Sequence, residues 1–329
     1  MALKRGGNPL CFGIRAKKRN RGVTFIEIVL ALALFLIITA PLITTLKLSA
    51  DKISAYMDYR KAFNRTSMAV ALIKTPVFYC GLGMPVSADK YKNAFGNLRF
   101  EPFRWNGPIE VRTGPSSYPN SELRIAYAQP GSSRLAELSV NTSFSGSVML
   151  NRFPESNELP DSFSGSSTDL RRWLLFCGIM PPSLPLYITG VSGKKLFVEN
   201  NISSHFSIPK GERPFLFRAM TVYCRNGCVY TKDFRASGDQ PRVKGIMDMR
   251  FDVDIDNKLI TVYVLSRGDN IYDERKLIIG QDNWPEEYIS PWIKKSTGYQ
   301  MYASKFVWRL PNCICESITD GKNVTEQFL

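Results

Sequence analysis

The chain has 329 residues, 44% of them hydrophobic and 22% charged. This is too apolar for a disordered chain; it supports a real core, as two domains or one large domain with an appendage. With 43 Lys and Arg against 29 Asp and Glu, the net charge of +14 first suggests nucleic acid or an anionic membrane surface. The single histidine, His205, excludes two-histidine zinc motifs, and no nucleophile signature accompanies it.

The charge is unevenly placed. Lys4, Arg5, Arg15, Lys17, Lys18, Arg19 and Arg21 precede Gly22 with no acidic residue among them, and they carry half of the net charge. An apolar run then begins at once, VTFIEIVLALALFLIITAPLITTL from Val23 to Leu46. At about 1.5 Å per residue, a helix of this run is long enough to cross a hydrocarbon core of about 30 Å. The basic flank would stay cytoplasmic. Glu27 interrupts the run at a cost of about 2.5–3.5 kcal/mol on insertion scales, which marks it as functional. A secretory signal would end in small residues, whereas Thr39-Ala40-Pro41 puts a proline at the cut.

Arg21-Gly22-Val23-Thr24-Phe25-Ile26-Glu27-Ile28 resembles the class III leader of type IV prepilins and type II secretion pseudopilins. The resemblance implies a leader over residues 1–22, cut by a prepilin peptidase between Gly22 and Val23, with N-methylation of Val23. It also implies that Glu27, the fifth residue of the cut chain, pairs with the Val23 amine of a neighbouring subunit. Pro41 is expected to kink the helix. The partners implied are the peptidase, other pilins or pseudopilins and an inner-membrane assembly platform, with no cofactor and no catalytic residue. The protein would be single-pass in the inner membrane with a periplasmic head, and then part of a pilus or pseudopilus. Under the alternative reading, residues 23–46 only tether a periplasmic enzyme or binding protein.

Beyond the span, Leu46, Ala50, Ile53 and Met57 recur at helical spacing, with Phe63 and Val70 further along. The spine helix is therefore expected over 23–75, membrane-spanning over 23–46 and amphipathic after it, ending at Thr75-Pro76. Residues 76–329 have strand character. Glu122–Tyr127, Arg218–Tyr223, Met249–Ile255 and Leu259–Val264 alternate, and Lys194–Glu199 and Lys305–Arg309 are shorter candidates. Asn226-Gly227 predicts a tight hairpin and Asp256-Asn257-Lys258 a second. The expected fold is α+β, a long N-terminal helix packed on an antiparallel head, with irregular stretches at 104–120 and in a Ser-rich loop at 141–169.

Three stretches of the head resemble PilW-like minor pilins and minor pseudopilin J. They are Ser121-Glu122-Leu123-Arg124-Ile125, Met220–Tyr223 with Val229-Tyr230, and Val243-Lys244-Gly245-Ile246 with the strands that follow to Arg267.

Of seven cysteines, Cys11 lies in the leader. The other six are disulfide candidates in an oxidising compartment. Cys224 and Cys228 flank the hairpin tip and make the best pair. Cys313 and Cys315 are too close to bridge each other, which leaves Cys80 and Cys177 as their natural partners. Zinc on Cys224, Cys228, Cys313 and Cys315 is disfavoured by the gaps. Asp252, Asp254 and Asp256 have a calcium-loop spacing but lack its glycine and its glutamate, so a solvated strand face is the simpler reading. Arg267-Gly268-Asp269 matches an adhesion tripeptide and also fits a strand-ending turn. Phe100, Phe103 and Trp105 between Arg99 and Arg104 could stack on single-stranded DNA, but core aromatics explain them more simply, so nucleic acid is not expected.

Overall fold

The computed structural model describes residues 24–95, 101–115, 118–141, 145–152, 170–176, 185–199, 206–234, 238–272, 278–288 and 298–313. The fold is α+β. A 54-residue helix α1 (Phe25–Phe78) is followed by α2 (Ala88–Phe95) and then by strands. In chain order these are β1 (Ile109–Arg112), β2 (Glu122–Pro130), β3 (Ser139–Asn141), β4 (Ser145–Met149) and β5 (Trp173–Leu175). There follow β6 (Leu186–Ser192), β7 (Lys195–Glu199), β8 (Phe206–Ile208), β9 (Phe215–Arg225) and β10 (Cys228–Asp233). The last are β11 (Gln240–Lys244), β12 (Ile246–Asp254), β13 (Leu259–Ile271), β14 (Ile278–Ile279) and β15 (Tyr299–Arg309).

Among the described residues the main sheet runs β1-β2-β9-β5-β6-β7-β4 and forks at β9, which also pairs β10 and through it β11. A second sheet runs β12-β13-β15-β14, and β3 pairs β8. All pairings are antiparallel except β14 with β15. The chain divides into two units, Met1–Ser54 and Ala55–Leu329, each described by itself.

Within the second unit the helix turns buried only from Asp58 onward. Its stripe is Asp58, Ala62, Thr66, Ala69, Val70, Ile73, Pro76 and Val77. This corrects the expected apolar side, because Ile53, Met57 and Phe63 are exposed. The stripe is built of small residues where the second sheet comes close. Ser266 of β13 donates to the Ala62 carbonyl at 2.8 Å and accepts from Thr66 Oγ1 at 2.8 Å. Below this, Ala69, Ile73 and Val77 share a core with Phe251, Val262 and Val264 of the second sheet and with Leu123, Val222 and Val229 of the main sheet.

The helix also passes Thr75-Pro76 and ends at Phe78. Pro76 sits in the last turn, where burial of Pro76 and Val77 offsets one lost helical bond. Strand β4 lies inside the expected Ser-rich loop; its Val148 is buried, and it pairs β7 from Ser145↔Glu199 to Met149↔Lys195. Strand β9 is buried on both faces. Met220, Val222 and Cys224 face the helix side, while Phe217 and Ala219 meet an aromatic cluster of Tyr91, Phe95, Phe103, Trp105 and Trp173. Phe103 and Trp105 are therefore core residues, with Phe103 stacked on Phe95 at 4.8 Å. Phe100 and Arg99 lie outside the described residues.

Arg267-Gly268-Asp269 lies inside β13, not in the strand-ending turn expected, and it docks the helix. Asp58 accepts from the Asn270 amide at 2.9 Å and the Tyr272 hydroxyl at 3.1 Å. Asp269 pairs with Lys61 at 3.1 Å and Arg65 at 2.5 Å, and these cations hold its carboxyl below the ordinary range. A Cβ on Gly268 would stand 2.7 Å from Asp58 Cβ, so only glycine lets the strand approach the helix here. Gly268→Ala is expected to overpack this contact and cost about 1–3 kcal/mol, read as a lower denaturation midpoint.

Candidate functional site

The candidate site is the start of α1. Gly22 and Val23 lie outside the described residues, which begin at Thr24. Thr24 caps the helix. Its backbone N–H donates to Glu27 Oε2 at 2.9 Å, and its hydroxyl accepts from the Glu27 N–H at 3.4 Å. This is a capping box, in which each residue satisfies an amide the helix start would leave orphaned. Thr24 is the residue that sequence reasoning missed. Its signal in the sequence is Thr-x-x-Glu, the capping-box signature.

After the box the helix presents apolar side chains with nothing packed on them. Phe25, Ile26, Leu30, Phe35, Leu36, Ile37, Ile38, Leu42 and Leu46 are all more than half exposed. An apolar surface this long belongs in lipid or against other helices. Among the described residues one helix is long and apolar enough to span a membrane, and it is this one. Its hydroxyls are satisfied internally, as lipid requires: Thr39 donates to the Phe35 carbonyl, Thr44 to Ala40 at 2.9 Å and Thr45 to Pro41 at 2.8 Å. The helix runs through Pro41, which has no N–H to give the Ile37 carbonyl.

The other candidate residues are dispersed. Asp252, Asp254 and Asp256 are exposed on one face of β12 and its turn, and Asp254 caps the turn by accepting from the Asn257 amide at 2.9 Å. No group of three or more His, Cys, Asp or Glu with metal-holding geometry occurs among the described residues. His205, Cys177 and Cys315 lie outside them.

The cysteine pairing expected at the hairpin is not allowed by the register. Asn226 and Gly227 form a two-residue turn with φ of 50° and 71°, as a primed turn demands. Cys224 then stands opposite Val229, and Cys228 opposite Arg225. Paired residues share a face and adjacent ones do not, so the two thiols point to opposite sides of the sheet. Cys224 donates to the Ile246 carbonyl at 3.2 Å inside the core, and burial pushes its thiol up. Both cysteines are free thiols in the structure. Cys80 and Cys313 are free thiols as well, but they are brought together, with their sulfurs 4.0 Å apart.

Residues 17–43 match the family model of the prokaryotic N-terminal methylation motif. That motif is a class III signal, and it supports kinship with type IV pilins and pseudopilins. It covers the last four basic residues before Gly22, Gly22 itself, the capping box and most of the apolar stretch. No curated protein and no solved structure matches the chain.

Proposed function

We propose that this chain is a minor pilin or pseudopilin, a structural subunit that a prepilin peptidase cuts after Gly22 and N-methylates at Val23. The observation that carries the reading is the join of two features: Glu27 locked into a capping box at the head of an uncovered apolar helix, inside a matched methylation motif. The leader, residues 1–22, takes half of the net charge with it, so the basic balance serves topology and processing rather than nucleic acid. Residues 23–46 hold the subunit in the inner membrane, and residues 76–329 form a periplasmic head.

Cleavage leaves a cationic amine at Val23. In a bundle of such helices that amine is the natural partner for a neighbour's Glu27. Pairing relieves two groups that are costly alone in low dielectric, and it sets the axial stagger between subunits. Other pilins or pseudopilins and an inner-membrane assembly platform are then the partners. The large head suits a tip or initiating position, where fewer neighbours crowd it.

The test is the N-terminus of the protein recovered from membranes, read by mass spectrometry. The expected species starts at methylated Val23, and Gly22→Ala is expected to leave the full leader in place. A species starting elsewhere, or a Gly22→Ala chain cut as before, would sink the reading.

A further inference from the structure

Two of the described cysteines meet across nearly the whole length of the head. Cys80 follows α1 and bridges to Tyr127 of β2. Cys313 follows β15. They are 233 residues apart in sequence, yet their sulfurs are 4.0 Å apart and both residues are fully buried. The surroundings are shaped for the contact. Gly81 lies at φ +75°, and a Cβ there would press on Cys313 Sγ at 3.0 Å. Asn312 Nδ2 donates to the Phe78 carbonyl at 2.7 Å, and Cys313 Sγ lies 3.8 Å from the Cys80 carbonyl oxygen, so the chain leaving β15 is already seated on the end of α1. A disulfide needs sulfurs at about 2.05 Å, so this 4.0 Å contact must close by about 2 Å. Burial pushes the Cys80 thiol up, while its hydrogen bond to Cys313 favours the thiolate on Cys313.

We propose that Cys80 and Cys313 are joined by a disulfide in the exported protein, a covalent staple between the spine helix and the exit of the last strand. The inference rests on the export reading above. The oxidant is the disulfide of a thiol-exchange donor outside the cytoplasmic membrane. The donor's S–S bond breaks, the Cys80–Cys313 bond forms, and two electrons and two protons leave with the donor as its dithiol. Because both sulfurs are sealed in the folded head, exchange precedes the seating of Asn312 and Cys313 against Phe78 and Cys80. Tension on α1 then reaches the second sheet through a covalent bond as well as through the Asn312 contact.

Cells producing the full chain are quenched with N-ethylmaleimide under denaturing conditions, and the protein is digested without reductant for mass spectrometry. The expected result is one peptide pair joining Cys80 to Cys313, lost on reduction. Cys313→Ser is expected to expose Cys80 to the label. Labelling of both Cys80 and Cys313 in the natural chain, or a bond from either to another cysteine, overturns the staple. The same digest reports the N-terminal peptide. Labelled cysteines on a chain starting at Val23 overturn the staple alone, whereas labelled cysteines on a chain with its leader intact overturn the export reading with it.

Discussion

Glu27→Leu is expected to leave the protein in the membrane and cut at Gly22, and to remove it from complexes with its partner subunits. The two halves of that result have separate causes. Leucine is cheaper than a carboxylate inside an apolar span, so insertion is not impaired and membrane levels hold or rise. On the proposed reading the peptidase acts at the Gly22–Val23 bond, outside the substituted turn. What is lost, on that reading, is the anion proposed to answer a neighbour's terminal amine. Removing one member of such a pair leaves the neighbour's amine without its counter-charge in low dielectric, so co-assembly is expected to be lost. Glu27 also has a second duty, because its carboxylate accepts from the Thr24 amide in the capping box. Glu27→Gln separates the two. Glutamine keeps an oxygen for the Thr24 amide but carries no charge, so it is expected to keep the helix start and still lose co-assembly. Co-purification with partner subunits from membranes is the measurement. A Glu27→Gln protein that co-assembles like the natural chain would leave the ion pair without a role, and a Glu27→Leu protein that does so would favour the plain-tether reading.

The N-terminal segment was legible because its signals are local. A basic run, a glycine, an apolar stretch and one carboxylate sit within about 25 residues and need no tertiary structure to be seen. The turn at Asn226-Gly227 was legible for the same reason, since only a primed turn demands left-handed backbone at both positions. Its register was not. One residue of slip decides whether Cys224 and Cys228 share a face, and that choice is made by the β9–β10 pairing as a whole. Strand β4 was hidden by Ser and Gly, weak strand formers that its pairing with β7 carries. The buried helix stripe is not legible from apolar periodicity, because the large apolar residues Ile53, Met57 and Phe63 are the exposed ones. At this interface the small side chains of Ala62, Thr66 and Ala69 are the buried ones, since they let a strand come near. Asp58 with Asn270, and Cys80 with Cys313, join residues more than 200 positions apart, and no window along the chain contains both partners.

Asp248→Ala is expected to be the most damaging single change in the head that leaves the helix untouched. Arg250 and Asp248 lie on β12 and are 1% and 4% exposed. Two parallel bonds join them, Nε to Oδ1 at 2.9 Å and Nη2 to Oδ2 at 3.1 Å. Asp248 Oδ1 also accepts from the Met249 amide at 2.8 Å. The third guanidinium arm reaches the Pro119 carbonyl, and the cation lies over the rings of Tyr118 at 4.7 Å and Tyr288 at 5.8 Å. Arg250 thereby fastens the second sheet to the turn that leads into β2, beside the Phe251 amide bond to the Asn120 carbonyl at 2.9 Å. Alanine at 248 leaves the guanidinium buried with a carbonyl and two ring faces but no anion. Breaking a buried pair in this way costs about 3–5 kcal/mol, since the remaining charge keeps its desolvation penalty. The logic also fixes a control. Asp248→Leu with Arg250→Met removes both charges and both penalties, so the double variant should recover most of the loss despite being the larger change. Urea unfolding of the full chain in detergent, followed by tryptophan fluorescence, gives the comparison. If Asp248→Ala falls within about 1 kcal/mol of the natural chain, the range of an exposed pair, then water reaches Arg250 and the pair does not bind the two sheets.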